Sequence, residues 1–454
     1  MVNDNQTICA LATPNGSGAI GVVRVSGKNA LDLVTKSFSK SLENLTSHTA
    51  HFGVFKDANG AIIDEVLLTY FENGKSFTGE ESVEIGCHGS PFIQQQIIQT
   101  LIQNGCRLAT SGEFTFRAFI NGKMDLSQAE AVADLIASQS KVAHDIALKQ
   151  LRGGFSNELK ELREKLIHFA SLVELELDFA EEDVEFADRT ELKLLVTDVL
   201  AYINRLASSF ELGNAIKQGV PVAIVGAPNT GKSTLLNQLL GEDRAIVSDI
   251  AGTTRDVIEE TLNIDGILFR LIDTAGIREH AEAIEAMGIE RSKEKIRLAN
   301  VVLCMADASD AKSLSEVTLW VQQLKQDHPE KKILLLANKV DVAHKQNTND
   351  HDILFISAKE GQGIDVLKSK LVALITGSID LANDTIVSNV RHYDALRQTA
   401  EYLSKALFDL DNNISADFVA MDIRQAMYYL GTITGDISTD DLLGNIFSKF
   451  CIGK

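Results

Sequence analysis

Residues Gly226 to Ser233 read GAPNTGKS and fit the pattern G-x-x-x-x-G-K-[ST]. The run before them, Val222 to Val225 (VAIV), is apolar and strand-like. Thr234 opens an apolar helical stretch, TLLNQLL. A strand, a glycine-rich turn and a helix are the setting in which this pattern forms a P-loop. Backbone N–H groups of such a loop, with the helix N-terminus behind them, draw phosphate oxygens. Asn229, Thr230, Gly231, Lys232, Ser233 and Thr234 are therefore expected at a bound nucleotide. Lys232 would reach the terminal phosphates and Ser233 would hold Mg²⁺.

Working outward, residues 220 to about 377 alternate short apolar runs with helical patterns. Leu268 to Ile272, Val301 to Met305, Ile333 to Ala337 and Leu354 to Ile356 read as strands, which predicts βαβ units on a buried sheet. Short polar motifs follow these strands. Asp273-Thr274-Ala275-Gly276 offers an Asp for Mg²⁺ through water and a glycine N–H for the γ-phosphate. Asn338-Lys339-Val340-Asp341 offers a carboxylate that can take both N–H donors of guanine, which adenine lacks. Ser357-Ala358-Lys359 can meet the guanine oxygen. Their order resembles that of the translation-factor-related GTPases, so GTP is the expected nucleotide. Ile277, directly after DTAG, has no hydrogen-bonding atom, so a residue elsewhere must position water. Asn229 could place a side-chain oxygen beside the nucleotide, and backbone carbonyls of Ser248 and Ile250 within AIVSDIAGTTRD (Ala245 to Asp256) could join it. Neutral oxygens of that kind suit K⁺, which would neutralise charge between the β and γ phosphates. The alternative is that Asn229 only shapes the loop.

The rest of the chain sets the context. A length of 454 residues suggests about three domains at ~150 residues each. Hydrophobic residues make up 45% and charged residues 23%, values of a folded soluble protein. The formal charge of -20 excludes a general basic field for nucleic acid, so any such contact is local or shared with a partner. Residues 1 to about 120 read as mixed α/β. Ala19 to Val25 and Val66 to Tyr70 are β-branched apolar runs, and Phe92 to Gln103 has helical spacing. From Ser127 to about Asn214, and again after about 380, apolar residues recur at three and four, as in Leu159, Leu162, Leu166 and Phe169. The economical reading is one helical domain with the α/β domain inserted into it. The acidic run Ala180 to Asp188 is read as a solvated interhelix loop, because it lacks the Asp/Gly spacing of a calcium site. Five scattered cysteines without a C-x-x-C pair make neither a disulfide framework nor a zinc module. No basic-flanked apolar leader opens the chain and no run of about 18 apolar residues occurs, so a cytoplasmic location without a stable membrane span is expected.

Taken together, several motifs resemble one family. They are the GxPNxGKS loop, DIAGTTRD, DTAGIRE and the final Cys451-Ile452-Gly453-Lys454. They also include Gly18 to Gly27, Ser76 to Gly89, Glu113 to Val132 and the tail from Thr434. The chain resembles the bacterial tRNA-modification GTPases of the MnmE (TrmE) family over essentially its whole length. The resemblance implies an N-terminal α/β tetrahydrofolate-binding and dimerisation domain over 1–120. A split helical domain would occupy 121–217 and 379–454, the second part ending in the CIGK motif. A GTPase domain with a mixed sheet flanked by helices would fill 218–378. It also implies homodimers formed through the N-terminal domain and K⁺-stimulated GTP hydrolysis. An MnmG-type flavoprotein partner would join in a heterotetramer or larger complex. Together they would add an aminomethyl or carboxymethylaminomethyl group to the wobble uridine of certain tRNAs, from 5,10-methylene-tetrahydrofolate or a related folate. tRNA would be held mainly by the complex.

Carried over by motif, Asn229, Ser248, Ile250 and Thr253 resemble K⁺ ligands, and Ser233 and Thr254 resemble Mg²⁺ ligands. Glu285, in EAIEAMGIE, matches the glutamate that orients the attacking water, and Arg278 a switch arginine that supports the same segment. Arg24, Glu84, Lys123 and Lys454 match folate-binding positions; cations suit the glutamyl carboxylates and a carboxylate suits the pterin N–H groups. Cys451 near a bound folate would be a nucleophile or general acid toward the base, with a buried structural cysteine as the alternative. A different class of function also accommodates the GTPase motifs. A regulatory GTPase of ribosome or membrane assembly would carry them without any tRNA-modifying chemistry.

Overall fold

The computed structural model describes residues 6–40, 45–178, 189–243, 260–272, 294–343, 352–377, 379–381, 384–412 and 414–453. The chain gathers into two compact units. One joins Met1–Ala133, Gln150–Ile167 and Met427–Lys454; the other joins Asp134–Lys149 and His168–Ala426.

The first unit holds strands β1 (Ile8–Leu11), β2 (Ile20–Ser26), β3 (Thr49–Lys56), β4 (Ile62–Phe71), β5 (Ser82–His88) and β6 (Arg107–Leu108), in the order β3-β4-β5-β2-β1-β6. The pairings are antiparallel except β1 with β6. The period-2 pattern sorts side chains to two faces. Val23, Val25, Val83 and Ile85 pack with Ile97 and Leu101 of helix Pro91–Asn104. That helix matches the predicted spacing. Pro91 starts it, and Gly105 at φ +118 ends it in the left-handed conformation. The opposite face carries Arg24 and Glu84, directly paired across β2 and β5. There Phe114, from helix Glu113–Ile120, is buried with Ile8 and Ala10. The C-terminal helix Asp440–Ser448 enters the same unit by burying Phe447 against Phe116 and Leu126.

The second unit holds β7 (Val220–Gly226), β8 (Glu260–Ile264), β9 (Ile267–Leu271), β10 (Val301–Asp307), β11 (Lys332–Asn338) and β12 (Ile353–Phe355), in the order β12-β11-β10-β7-β9-β8. Only β8 with β9 is antiparallel. The sheet is buried on both faces: Val222, Ile224, Leu303 and Met305 enter one core, and Ala223, Val225, Val302 and Cys304 the other. Two covered faces explain why these strands read as unbroken apolar runs. Helix Arg189–Ser208 buries Val196, Val199 and Ile203, and helix Val390–Asp411, packed on it, buries Leu396, Thr399 and Leu403. Where the chain enters and leaves the second sheet, Ser209 Oγ accepts a hydrogen bond from Val387 N at 3.0 Å. The helical layer is therefore assembled from segments on both sides of the α/β insertion. The acidic run Ala180 to Asp188 lies outside the described residues. Among the described residues no helix is long and apolar enough to cross a membrane.

Candidate functional site

The P-loop leaves β7 where the strand runs between β10 and β9. Gly226, at φ +153, lies against the Met305 carbonyl, which a Cβ would meet at 2.5 Å. Asn229 takes the left-handed conformation at φ +62, which asparagine tolerates better than most residues. Gly231 at φ +96 leaves the space that the Asn338 amide fills. Helix Lys232–Asp243 then begins, with Ser233 and Thr234 exposed at its first turn. Lys232 Nζ donates to Gly226 O at 2.9 Å and Ala227 O at 2.8 Å. Burial and then the nearby Lys295 charge hold its pKa below the usual lysine value. A desolvated ammonium bonded to its own loop is poised to exchange carbonyls for phosphate oxygens.

The Asn338–Asp341 and Ser357–Lys359 motifs converge on this loop. Asn338, 3% exposed, ends β11. Its Nδ2 donates to Thr230 O at 2.8 Å, and its Oδ1 accepts from Ala358 N at 2.9 Å. One side chain thus fastens the phosphate loop to the Ser357-Ala358 turn. Asp341 is exposed and accepts from Ser357 Oγ at 2.7 Å; that bond lowers its pKa and keeps it a carboxylate. Ser357 is fully buried, while Lys359 is exposed beside Glu360 at 3.3 Å. Lys339 has φ +71, and its Nζ donates to Asp307 Oδ2 at 2.6 Å. Asn229, Thr230 and Gly231 on the loop after β7, Lys232, Ser233 and Thr234 in the first turn of the helix that follows, Asn338 at the end of β11, and Lys339, Asp341, Ser357, Ala358 and Lys359 on the segments after β11 and β12 therefore lie at one end of one sheet. Ser248, Ile250, Thr253, Thr254, Asp273, Thr274, Ala275, Gly276, Arg278 and Glu285 lie outside the described residues.

A second constellation occupies the first unit. Arg24 Nε and an Nη atom donate to Glu84 Oε1 at 3.0 and 2.8 Å. The guanidinium lies 5.5 Å from the Phe77 ring centroid and 5.7 Å from that of Phe114. Phe77 rides on the hairpin between β4 and β5. That hairpin is held by the Ser26 hydroxyl, which bonds Thr78 Oγ1 at 2.7 Å and Glu80 Oε2 at 2.8 Å. Buried Arg117 donates to Glu80 at 3.1 Å and Glu113 at 3.0 Å. Lys123 Nζ donates to Gly74 O at the base of the same hairpin at 3.0 Å. The C-terminal tail arrives here too. Gly112 N donates to Cys451 O at 3.4 Å, Ile452 bridges to Ser111, and Gly453 at φ +95 packs on the Leu11 carbonyl. Ala10, beside Leu11, is the cross-strand neighbour of Arg24. Cys451 is exposed. Lys454 lies outside the described residues.

Sequence reasoning missed Phe77, Phe114, Glu80, Arg117 and Asp307. Glu80 and Asp307 meet their partners through a hairpin and a strand pairing, and Phe77 and Phe114 reach Arg24 only in the fold; Arg117 pairs with Glu113 four residues earlier on one helix, a local signal that could have found it.

Residues 7–123 match the family model described as the GTP-binding protein TrmE N-terminus, and residues 126–451 match the MnmE helical domain. The tRNA modification GTPase MnmE of Cytophaga hutchinsonii is 53% identical over 100% of this chain and 99% of its own. Proteins of the same name from Flavobacterium johnsoniae and Bacteroides fragilis are each 51% identical, over 100% and 99% of this chain and 100% of their own. Full-length similarity at half identity, on a P-loop that Asn338 fastens to the Ser357-Ala358 turn, places this chain in the tRNA modification GTPase MnmE family.

Proposed function

We propose that this GTPase hydrolyses GTP while modifying the wobble uridine of certain tRNAs, in the cytoplasm. It would work with a flavoprotein partner and a tetrahydrofolate that supplies the one-carbon unit. The full-length family similarity carries this reading. The phosphate loop, Asn338 and Asp341 support the GTP part: N–H groups and Lys232 meet the phosphates, and Asp341 meets the guanine N–H groups. Ser233, at the helix start, would hold Mg²⁺ with Thr254. Asn229, whose left-handed backbone presents an exposed side chain, would hold K⁺ with Ser248, Ile250 and Thr253. Bound there, these cations supply positive charge against the phosphates. Glu285 would orient the water and Arg278 would support it.

Arg24, Glu84, Lys123 and Lys454 form the proposed folate site. The polar Arg24–Glu84 face, backed by buried Phe114 and flanked by exposed Phe77, suits a flat, polar-edged ring. The exposed Cys451 thiol, on the tail beside β1, is the proposed nucleophile or general acid. Exposed Ile20, Phe52 and Leu67 on the first unit support dimerisation through the N-terminal domain. The charge of -20 leaves most tRNA contact to the complex. The corresponding domains are 1–120, 121–217 with 379–454, and 218–378.

The test is a gene deletion followed by mass spectrometry of digested tRNA. Aminomethyl-type wobble uridines should vanish, return with this chain, and stay absent with Glu285→Ala. An unchanged nucleoside profile would contradict the modification role and favour an assembly GTPase.

A further inference from the structure

Asp307 ends β10, where the register sets it beside Asn338 of β11. No motif singles it out, yet its carboxylate is fully engaged. Oδ2 accepts from Lys339 Nζ at 2.6 Å, and Oδ1 accepts from Ser309 N at 2.9 Å and Ser309 Oγ at 2.6 Å. Burial pushes the Asp307 pKa up, but the bonds from Lys339 and Ser309 outweigh it and bring the value below the ordinary one. Asp307 therefore stays a carboxylate at neutral pH, and the side chains of Lys339 and Asp307 are 36% and 20% exposed.

Lys339 stands between two residues of the guanine site. Asn338 joins the phosphate loop to the Ser357-Ala358 turn, and Asp341 is set by Ser357. Its left-handed backbone, at φ +71, is uncommon outside glycine and persists where the surroundings hold it. With the ammonium fixed on Asp307, the methylene stem spans from the end of β11 to the end of β10. A lysine loses much rotamer freedom when ordered. An anchor that orders it before the ligand arrives removes that cost from binding.

We propose that Asp307 is a positioning residue for nucleotide binding: it holds the Lys339 stem extended as a preformed apolar wall for the purine. This rests on the guanine-site reading. Asp307 itself touches no substrate; it acts through Lys339.

The test measures the dissociation constant of a fluorescent GDP on the full chain. Asp307→Asn should weaken binding about fivefold, the upper range for a partly exposed ion pair. Lys339→Met keeps a stem and loses the anchor, and should weaken binding by a similar factor. The double variant should be no weaker than Lys339→Met alone, because both changes remove one interaction. Asp307→Glu should recover part of the loss. Parental affinity in Asp307→Asn overturns the proposal. So does a fivefold loss that persists undiminished in the Lys339→Met background, which would place the effect in the Ser309 turn. Should Asp307→Asn fail to fold, parental affinity in Lys339→Met overturns it equally. If Asp341→Asn also keeps full guanine preference, the guanine-site reading falls with it; if Asp341→Asn loses that preference, only the role of Asp307 falls.

Discussion

The two six-stranded sheets of this chain build their sites in opposite ways. In the second unit, parallel strands deliver each motif as a contiguous loop at one end of the sheet. GAPNTGKS, NKVD and SAK are each a few residues long and each follows its strand. In the first unit, antiparallel pairing assembles the site sideways. Arg24 and Glu84 are 60 residues apart and meet only because β2 lies beside β5 in one register. The lesson is that parallel α/β sheets concentrate chemistry in short words, whereas antiparallel sheets disperse it across pairings.

The largest expected effect probes the joint of the parallel site. Asn338→Ala removes the bonds to Thr230 O and Ala358 N, leaving buried backbone groups unpaired. At about 1–3 kcal/mol for each such group, GDP binding should weaken roughly 100-fold in titration. Near-parental affinity would mean that the motifs act as separate loops, which would break the contrast.

A smaller effect probes the dispersed site. Glu113 is 4% exposed and braces Arg107 and Arg117 around the Phe77 hairpin. Glu113→Gln should cost about 2–3 kcal/mol, because it leaves the buried Arg117 and the partly exposed Arg107 underpaired. Burial raises the Glu113 pKa, but bonds from Arg107, Thr110 and Arg117 outweigh it and lower the value from 4.5. A folded-state pKa below the unfolded one binds fewer protons in the folded state. Its stabilisation is therefore complete above about 4.5 and fades as pH falls through the lowered value. Acid titration of unfolding should show that slope in the parent and a flatter one in the variant.

The smallest effect concerns the tail. Burial pushes Cys87 up to about 11 and Cys304 up to about 12, and Cys9 and Cys106 are buried as well. Iodoacetamide should therefore alkylate the exposed Cys451 first in the native chain, as peptide mapping would show. Equal labelling of all five would mean that the cores of both sheets open readily, since Cys304 lies on β10 and the other buried cysteines in the first unit.

Legibility followed the same division. Five strands of the second sheet, the P-loop and the NKVD and SAK motifs were readable because burial on both faces makes apolar runs and phosphate chemistry makes short patterns; β8 (ETLNI), with polar residues alternating, was not read. Strand β12 lies one residue before the predicted Leu354 to Ile356, an ordinary shift at an element end. Strands β3 and β5 were not read from composition, since polar residues such as His51, Glu84 and His88 interrupt them. Phe77 and Phe114 carry no signal of their own in the sequence; only the fold brings them to the Arg24 guanidinium. Asp307 looked like the end of an apolar run, and only the β10–β11 register reveals its partner.

The most direct test of the guanine site asks which nucleotide Asp341 selects. Its carboxylate, set by Ser357 at 2.7 Å, is the group proposed to accept both guanine N–H donors. Hydrolysis of GTP and of xanthosine triphosphate by the full chain would be compared in the parent and in Asp341→Asn. Preference for GTP in the parent should shift to the xanthosine nucleotide in the variant, because an amide can donate to the added oxygen. Full preference for GTP retained in Asp341→Asn would contradict the account.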